Sequence, residues 1–310
     1  MATPAPLIPG AARGPQPEAL SPQLATAAAE APTGDQWFHE IKLDGYRMLC
    51  RVEGGRARFF SRQGNDWTDR VGHFAELVGK LPVESALLDG ELVVLDAQGR
   101  SSFHALQNSL RGDSRELVYF AFDLLYLDGW DLRAAALEAR KGRLATLLTG
   151  IEIPRLRFGD HVVGNGPLVL EHARQLGVEG VVSKRRDRPY RSGRGADWLK
   201  IKCLQTEEFV VGGYTGPEGS RVCFGALILG RFNEEGKLRY AGRVGTGFNT
   251  RELNEMHETL KALHRPKHIF PATPPRERRE PVFWVDPVLV VQVEFQCWTD
   301  EGILRGPSYR

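Results

Sequence analysis

The alternation of hydrophobic and polar residues predicts an α+β fold over the first two thirds of the chain. Alternating runs separated by glycine turns indicate strands, and apolar residues at helical spacing indicate helices. The predicted strands lie at residues 37–42, 46–52, 56–61, 87–95, 117–127, 178–183 and 198–202, and the predicted helices at 66–81, 137–148 and 168–176. The order has no regular βαβ repeat, so we expect mixed and antiparallel sheets.

Longer alternating runs follow residue 202 and indicate a second, all-β part. Strands are predicted at 208–214, 222–232, 237–244 and 288–296, followed by a final short strand, with one helix at 250–263. About five strands and one helix are the inventory of an OB-fold barrel. We therefore expect domains at 21–202 and 203–310. The Ala, Pro and Gly content of the first residues predicts a flexible N-terminal tail at 1–20.

The composition of the 310-residue chain is typical of a soluble globular protein. Hydrophobic residues make up 42% and charged residues 26%, and no apolar run is long enough to span a membrane. The net charge of +2 is too small to show by itself that the partner is an anion. The four cysteines lie far apart, without zinc-ligand spacing, at Cys50, Cys203, Cys223 and Cys297. We therefore expect reduced thiols, a cytoplasmic location, no membrane contact and a monomer.

Lys42 is the strongest candidate for chemistry, because it ends a predicted strand immediately before the Asp44-Gly45 turn. Alone, a strand-ending lysine beside such a turn is more often a solvated hairpin residue. Other short motifs follow it: SRQG at 61–64, LDGEL at 88–92, FAFD at 120–123, EGVVSK at 179–184 and WLKIK at 198–202. Each is more often structural in isolation, but their joint occurrence favours one shared site.

In order and spacing, EIKLDGYR at 40–47 and these five segments resemble motifs I, Ia, III, IIIa, IV and V of the covalent nucleotidyltransferases. That superfamily contains DNA ligases, RNA ligases and mRNA-capping enzymes. From about residue 20 to the C-terminus, including LSPQLA at 20–25, the chain is similar to the ligase domain of bacterial ligase D. The resemblance implies a nucleotidyltransferase (adenylation) domain at 21–202, an OB-fold domain after it, and ATP-dependent DNA ligase activity through a lysyl-AMP intermediate.

The same resemblance implies the biological partners. The substrate would be duplex DNA with a nick or broken ends, sealed between a 5′-phosphate and a 3′-hydroxyl. The process would be double-strand break repair by non-homologous end joining, together with the bridging protein Ku. A cytoplasmic protein of this kind would lie on the bacterial nucleoid when it is bound to DNA.

Lysyl-AMP chemistry needs a neutral amine and charge neutralisation on the phosphate. A free lysine with a pKa of about 10.4 is neutral in only about 0.1% of molecules or fewer at pH 7. Neighbouring cations favour the neutral amine, and the candidates are Lys200, Lys202 and a divalent metal ion. The same groups would neutralise the phosphate oxygens during transfer. We therefore expect ATP and Mg²⁺ or Mn²⁺ as cofactors.

The resemblance assigns the remaining site residues. The expected ATP-binding set is Glu40, Lys42, Arg47, Arg62, Glu91, Phe122, Glu179, Lys200 and Lys202. Phe122 would stack on adenine, whereas Arg47 and Arg62 would contact phosphate or ribose. Glu91 and Glu179 are also the expected metal ligands, because a hard divalent cation prefers carboxylate oxygens. The resemblance places Glu179 nearer the metal, whereas it favours Glu91 as the residue that holds the ribose or a water molecule not bound directly to the metal.

The segment from residue 184 to residue 202 is the most cationic of the chain and predicts contact with the DNA backbone. The expected DNA-binding residues are Lys184, Arg185, Arg191 and Arg194. The alternative is a solvated loop, since glycines interrupt the segment. The second domain adds Arg239, Arg243, Arg276, Arg278 and Arg279, and an OB-fold commonly binds nucleic-acid backbone.

Motif VI, which orients the leaving pyrophosphate in this superfamily, would follow the segment LRGPSY at 304–309, but the sequence stops at Arg310. We therefore expect either a piece of a longer protein or a weakened first step. An mRNA-capping guanylyltransferase shares the motif around Lys42 and would use GTP. An NAD-dependent ligase is disfavoured, because the chain has no four-cysteine zinc site and no room for a nicotinamide domain. A non-catalytic DNA-end-binding module is the third alternative.

Overall fold

The computed structural model describes residues 8–112, 114–153, 155–217, 223–271, 281–299 and 301–310. The chain separates into two compact units, Met1–Cys203 and Leu204–Arg310. Several predicted features lie outside the described residues, namely Val222, Arg276, Arg278 and Arg279. Within the described part of the chain, no helix is long and apolar enough to cross a membrane.

The first unit combines short strands with five α-helices in its described residues. Its strands are β1 (Ala12–Arg13), β2 (Gln23–Ala27), β3 (Thr33–Ile41), β4 (Tyr46–Glu53), β5 (Arg56–Ser61), β6 (Ser85–Val93), β7 (Val118–Leu127), β8 (Trp130–Asp131), β9 (Leu156–Phe158), β10 (Val162–Asn165), β11 (Gly180–Arg185) and β12 (Gly193–Lys202). Its helices are α1 (Thr68–Val71), α2 (His73–Val78), α3 (Phe103–Ser109), α4 (Leu137–Leu148) and α5 (Gly166–Gln175), with a 3₁₀ turn at Ser114–Glu116.

These strands form two sheets. The first sheet has the order β1-β8-β7-β6-β4-β5, and β9 runs parallel to β7. The second sheet has the order β10-β3-β11-β12-β2, and β2 runs parallel to β12. The main core lies where the first sheet packs against α1, α2 and α3, around residues such as Phe59, Phe74 and Tyr119. Leu87 and Phe122 of the first sheet pack with Trp198 of the second.

A buried ion pair attaches helix α4 to the first sheet. The Arg140 guanidinium donates two hydrogen bonds of 2.8 Å to the Asp123 carboxylate on β7, and both side chains are fully buried. Arg140 also donates to the backbone oxygen of Ala135 at 2.6 Å. Such a pair is stable only when the polar atoms of both partners are hydrogen-bonded, as they are here. Helix α4 lies at the residues where the apolar spacing predicts it, 137–148.

Two predictions for this unit are wrong. The predicted continuous helix at 66–81 is divided into α1 and α2, because Gly72 adopts a φ of +58°, which an α-helix cannot contain. Residues 8–20 are packed on the first sheet rather than forming a free tail. Ala12 and Arg13 pair with β8, and the buried Gln16 side chain donates to the Ala86 oxygen at 2.7 Å. Composition does not show such long-range pairing.

The second unit is mainly β-structure. Its elements are β13 (Gln205–Thr215), β14 (Leu227–Phe232), β15 (Leu238–Val244), α6 (Thr250–Ala262), β16 (His264–Arg265), β17 (Val282–Val285), β18 (Val290–Phe295), β19 (Cys297–Trp298), β20 (Leu304–Arg305) and β21 (Ser308–Tyr309). The main sheet has the order β15-β14-β13-β17-β16, and β18 pairs with β13 and β21. A core around Phe209 and Phe295 lies against α6 residues Leu253 and Leu260. The described strand pairings form no closed ring, so the barrel stays a prediction.

Candidate functional site

The site is a cavity of about 210 Å³ in the first unit, lined by residues of both sheets. The side chains around it include those that the sequence motifs single out. Its lining residues are Leu24, Ala25, Glu40, Ile41, Lys42, Leu43, Arg47, Arg62, Glu91, Phe122, Val182, Lys184, Arg194, Trp198 and Lys200. Motifs separated by more than 150 residues in the chain therefore meet at one place.

Lys42 is held at this cavity by its backbone and by its side chain. Its N–H donates to the Gly180 oxygen at 2.8 Å, which fixes the end of β3 against β11. A Cβ on Gly45 would lie 2.2 Å from the Leu92 oxygen, so only glycine allows the turn after Lys42 to approach β6. The Lys42 Nζ donates to Glu179 Oε2 at 2.5 Å, and the lysine side chain is 21% exposed. The amine is thus oriented inside the cavity.

Arg47 belongs to a buried network that sequence reasoning did not find. Its guanidinium donates to both oxygens of Asp89, at 2.5 and 2.7 Å, and the Tyr190 hydroxyl donates to Asp89 at 2.6 Å. Burial alone would lower the pKa of Arg47, but the adjacent Asp89 carboxylate raises it above its ordinary value. Asp89 is in the LDGEL motif, one position before Gly90, and that adjacency is the only sequence signal for its role.

Two carboxylates lie beside Lys42. Burial raises the pKa of Glu91 to about 7, although the positive charges of Arg47 and Lys42 act in the opposite direction. The negative charges of Asp89 and Glu179 contribute to the same increase, which shows that the acidic groups are close enough to repel one another. Glu91 therefore takes up and releases its proton near neutral pH.

Phe122 forms an aromatic wall of the cavity and contacts two cations. The Arg47 Cζ lies 4.4 Å from the ring centroid, and the Lys184 Nζ lies 3.8 Å from it. Lys184 is also 4.3 Å from the ring centroid of Trp198. The negative π-faces of these rings attract cations. Phe122 itself is 8% exposed, through the cavity.

The prediction that Lys184 contacts DNA is wrong. Its side chain is 2% exposed, and its ammonium donates to Glu40 Oε2 at 2.6 Å. A buried ammonium held by a carboxylate cannot reach a phosphate on the surface of a duplex. The local density of positive charge does not show which side of a strand faces the interior. The sequence therefore could not exclude Lys184 from the predicted DNA-binding residues.

The three other predicted DNA-binding residues are at least partly exposed. Arg185 donates to both carboxylate oxygens of Asp187, at 2.9 and 2.8 Å. Arg191 is exposed, and its backbone N–H donates to the Gln23 side chain at 2.8 Å. Arg194 donates to the Ala25 oxygen at 2.8 Å and lines the cavity. Arg194 therefore lies at the cavity as well as on the surface.

Lys200 and Lys202 occupy different positions. Lys200 lines the cavity, and its pKa is lowered by burial and by the positive charges of Arg194, Lys42 and Lys202. Lys202 is exposed and is not among the lining residues, but its charge acts on Lys200. Arg62 is exposed and also lines the cavity.

Glu40 is buried and accepts hydrogen bonds from two lysines. Lys184 donates to one of its oxygens, and the Lys141 Nζ donates to the other at 2.8 Å. Lys141 lies on α4, outside all six motifs, and the sequence analysis did not single it out. A lysine in a helix is normally solvated, so only the tertiary structure reveals its position.

Comparisons with known proteins identify the family of the chain. The family described as ATP dependent DNA ligase domain matches residues 22–202, and the family described as ATP dependent DNA ligase C terminal region matches residues 220–310. The chain belongs to the ATP-dependent DNA ligases. The predicted resemblance to this family is thus confirmed.

Relatives of this ligase include larger proteins. The multifunctional non-homologous end joining protein LigD of Pseudomonas aeruginosa is 42% identical, over 94% of the chain and 35% of that protein. The LigD protein of Mycobacterium tuberculosis is 40% identical, over 94% of the chain and 38% of its own length. The chain thus spans little more than a third of these relatives. The crystal structure of the ligase domain from M. tuberculosis LigD matches at 37% identity with a TM-score of 0.58, covering 94% of both chains.

The described residues of this ligase contain no cluster of three or more His, Cys, Asp or Glu side chains that could bind a metal ion. Glu91 lines the cavity, whereas Glu179 is not among the lining residues and contacts the Lys42 amine. A hard divalent cation can bind to two carboxylates when phosphate oxygens and water complete its coordination. The donor set therefore fits an ion that arrives with a nucleotide, rather than an ion held by the protein alone.

Proposed function

We propose that this chain catalyses ATP-dependent sealing of 5′-phosphate/3′-hydroxyl breaks in duplex DNA, with Lys42 as the covalent nucleophile. The observation that carries the proposal is the position of the Lys42 amine. It contacts Glu179 and lies at a cavity that also presents the Glu91 carboxylate, the Arg47 guanidinium and an aromatic wall. These are the groups that a nucleoside triphosphate requires: anionic ligands for its metal ion, cations for its phosphates and a ring for its base.

In the first step, the neutral Lys42 amine attacks the α-phosphorus of ATP. A nitrogen–phosphorus bond forms, the bond to the β-phosphate oxygen breaks, and pyrophosphate leaves. Glu179 accepts a hydrogen bond from the Lys42 ammonium, so it is placed to orient the amine and to receive its proton. Lys200 and Arg47 supply positive charge at the same cavity, where charge on the phosphate oxygens must be neutralised.

Two further steps complete the reaction. AMP passes from Lys42 to the 5′-phosphate of the DNA, and the 3′-hydroxyl then displaces AMP. A divalent ion, Mg²⁺ or Mn²⁺, would supply Lewis-acid stabilisation of phosphate charge when bound to Glu91 and Glu179. Within the chain, Phe122 would hold the adenine ring, and Glu40, Arg62 and Lys202 would complete the nucleotide site.

We assign residues 21–202 to the nucleotidyltransferase domain and residues 203–310 to an OB-fold domain that binds the duplex. In the second unit, Arg239 is exposed and lines a surface pocket together with Arg231, Tyr240 and Trp298. Exposed arginines beside aromatic rings are suited to contact with a nucleic-acid backbone. Arg185, Arg191 and Arg194 would contribute to the same contact from the first domain.

The names of the relatives suggest the process. Because similar proteins are named for non-homologous end joining, we assign this chain to double-strand break repair. Its partners would be broken or nicked DNA and Ku. The protein would act as a monomer in the cytoplasm, on the nucleoid.

Incubation with α-labelled nucleotides and Mg²⁺ tests the proposed function. We expect covalent labelling by ATP and not by GTP, and sealing of a nicked duplex in the same preparation. The Lys42→Ala variant should take up no label, whereas Lys80→Ala, the same change at an exposed lysine, should label normally. Preferential labelling by GTP would instead identify a capping-type guanylyltransferase, and absence of label from both nucleotides would favour a non-catalytic DNA-binding module.

A further inference from the structure

A buried charge cluster lies at the cavity of the first unit, and two of its three members line that cavity. It consists of Glu40 on β3, Lys141 on α4 and Lys184 on β11, whose exposed side-chain fractions are 7%, 1% and 2%. Each carboxylate oxygen of Glu40 accepts from one ammonium, at 2.8 Å from Lys141 and 2.6 Å from Lys184. One carboxylate between two ammonium groups leaves a net charge of about +1 in the interior.

Lys141 connects three elements of the cavity. Besides Glu40, its ammonium donates to the backbone oxygens of Gly159, at 2.6 Å, and Phe122, at 3.3 Å. The ammonium group has three N–H donors, and these three acceptors use all of them. Glu40 is two residues before Lys42, and Phe122 is the aromatic wall. Lys141 therefore contacts two of the residues that line the cavity, Glu40 and Phe122.

Lys141 does not reach the ligand space itself. Glu40, Phe122 and Lys184 line the cavity, whereas Lys141 does not. Taking two ammonium groups and a carboxylate out of water costs several kcal/mol per ion before their mutual attraction is counted. Neutral donors would bond the two backbone oxygens equally well, so those two contacts do not require the charge, which is paired with the Glu40 carboxylate. The positive charge of Lys141 acts on Glu40 and Lys184, the two charged groups of the cluster that line the cavity.

We propose that Lys141 is a positioning residue for nucleotide binding: it fixes the Glu40 carboxylate and thereby holds the Lys184 ammonium at the cavity wall, against Phe122 and Trp198. This inference rests on the proposed function, because it assumes that the cavity binds ATP. Lys141 acts through Glu40 and Lys184 and makes no contact with the reacting atoms.

The charges around Lys184 give the inference a measurable signature. The charged and titratable groups facing it are Glu40 on β3, Lys141 on α4, Arg47 on β4 and His161 before β10. Burial lowers the pKa of Lys184 to about 8; Glu40 opposes this effect, and Lys141 and Arg47 add to it. Removing the charge of Lys141 should therefore raise the pKa of Lys184.

The experiment measures binding of α,β-methylene-ATP, which cannot release pyrophosphate, by calorimetry in the presence of Mg²⁺. We expect Lys141→Met to weaken the Kd about tenfold, which corresponds to about 1.4 kcal/mol. The matched control Lys80→Met makes the same change at an exposed position of the same unit and should leave the Kd unchanged.

The pH dependence of the Kd reports on the charges around Lys184. In the wild type, affinity should fall as the pH rises through about 8, where Lys184 loses its proton. In Lys141→Met, this fall should move to higher pH. Disordered packing would also expose Lys184 and raise its pKa, so the shift counts only in a variant whose near-UV circular dichroism spectrum matches that of the wild type.

Lys141→Gln is the second variant and is used if the methionine variant does not fold. It removes the charge and keeps a hydrogen-bond donor. Unchanged affinity and an unchanged midpoint in a folded variant would overturn the role of Lys141. Lysyl-AMP formation from ATP is measured in parallel on the wild type. A wild type that binds the analogue without forming lysyl-AMP would overturn the proposed function and not the role of Lys141.

Discussion

At the scale of single residues, Glu91 shows how burial sets the chemistry of the site. The carboxyl group is removed from water, and its pKa rises to about 7 from the value of 4.5 that is ordinary for a free side chain. The nearby positive charges of Arg47 and Lys42 reduce this increase without cancelling it. The protonated group is thus favoured in the folded protein over a range in which the unfolded chain is ionised.

This difference predicts a pH dependence of stability. Because the folded state holds the Glu91 proton more tightly, the free energy of unfolding should decrease as the pH rises from about 4.5 to about 7. Glu91→Gln removes this contribution, so the variant should gain stability relative to the wild type across that window. Urea unfolding in EDTA at pH 5 and pH 8 measures the difference.

The control for this prediction is Glu30→Gln, the same substitution at an exposed position. Its stability should differ from that of the wild type by the same amount at both pH values. If the Glu91→Gln and wild-type curves also stay parallel between pH 5 and pH 8, Glu91 is not held in its protonated form by the fold.

The sequence predicted many of the residues that meet at the cavity but not all of their contacts. The order of the motifs predicted that Lys42, Arg47 and Phe122 share one site, because each motif has a recognisable residue pattern. Lys184 was misplaced and Lys141 was missed. Both errors have one physical cause: a lysine in a strand or helix gives no sign of burial until a distant carboxylate, here Glu40, is brought beside it.

At the scale of elements, local patterns predicted the regular segments well. The run at 56–61 is β5, and the apolar spacing at 137–148 is α4. The predicted helix at 66–81 was wrong, because the spacing of apolar residues does not show that Gly72 has a positive φ. Strands β1 and β2 were missed, because each is stabilised by pairing with a strand more than 100 residues away.

The attachment of α4 to β7 yields a stability prediction. Arg140→Met would leave the Asp123 carboxylate fully buried without its partner, which costs about 3–5 kcal/mol. Arg58→Met breaks the exposed pair with Asp66, which is worth less than about 1 kcal/mol. Urea denaturation followed by tryptophan fluorescence measures both variants. Equal losses in the two variants would show that breaking the buried pair costs no more stability than breaking the exposed pair.

At the scale of the whole molecule, the chain consists of two units with different roles in the proposed reaction. The first unit contains every lining residue of the nucleotide cavity. The second unit is a β-sheet domain. Its closure into a barrel stays a prediction, and the sequence inventory behind that prediction did not fix the strand pairings. Strand β13 pairs with β18 along residues 205–210 and with β17 along residues 213–215. Such division of one strand between two partners depends on tertiary contacts and has no local signal.

The most direct test of the account is to locate the covalent nucleotide on the chain. The protein is incubated with ATP and Mg²⁺, digested at a pH that preserves the nitrogen–phosphorus bond, and sequenced by tandem mass spectrometry. We predict AMP on one side chain, that of Lys42. AMP on Lys184, Lys200 or Lys202 with Lys42 unmodified would contradict the assignment of the nucleophile and the chemistry built on it.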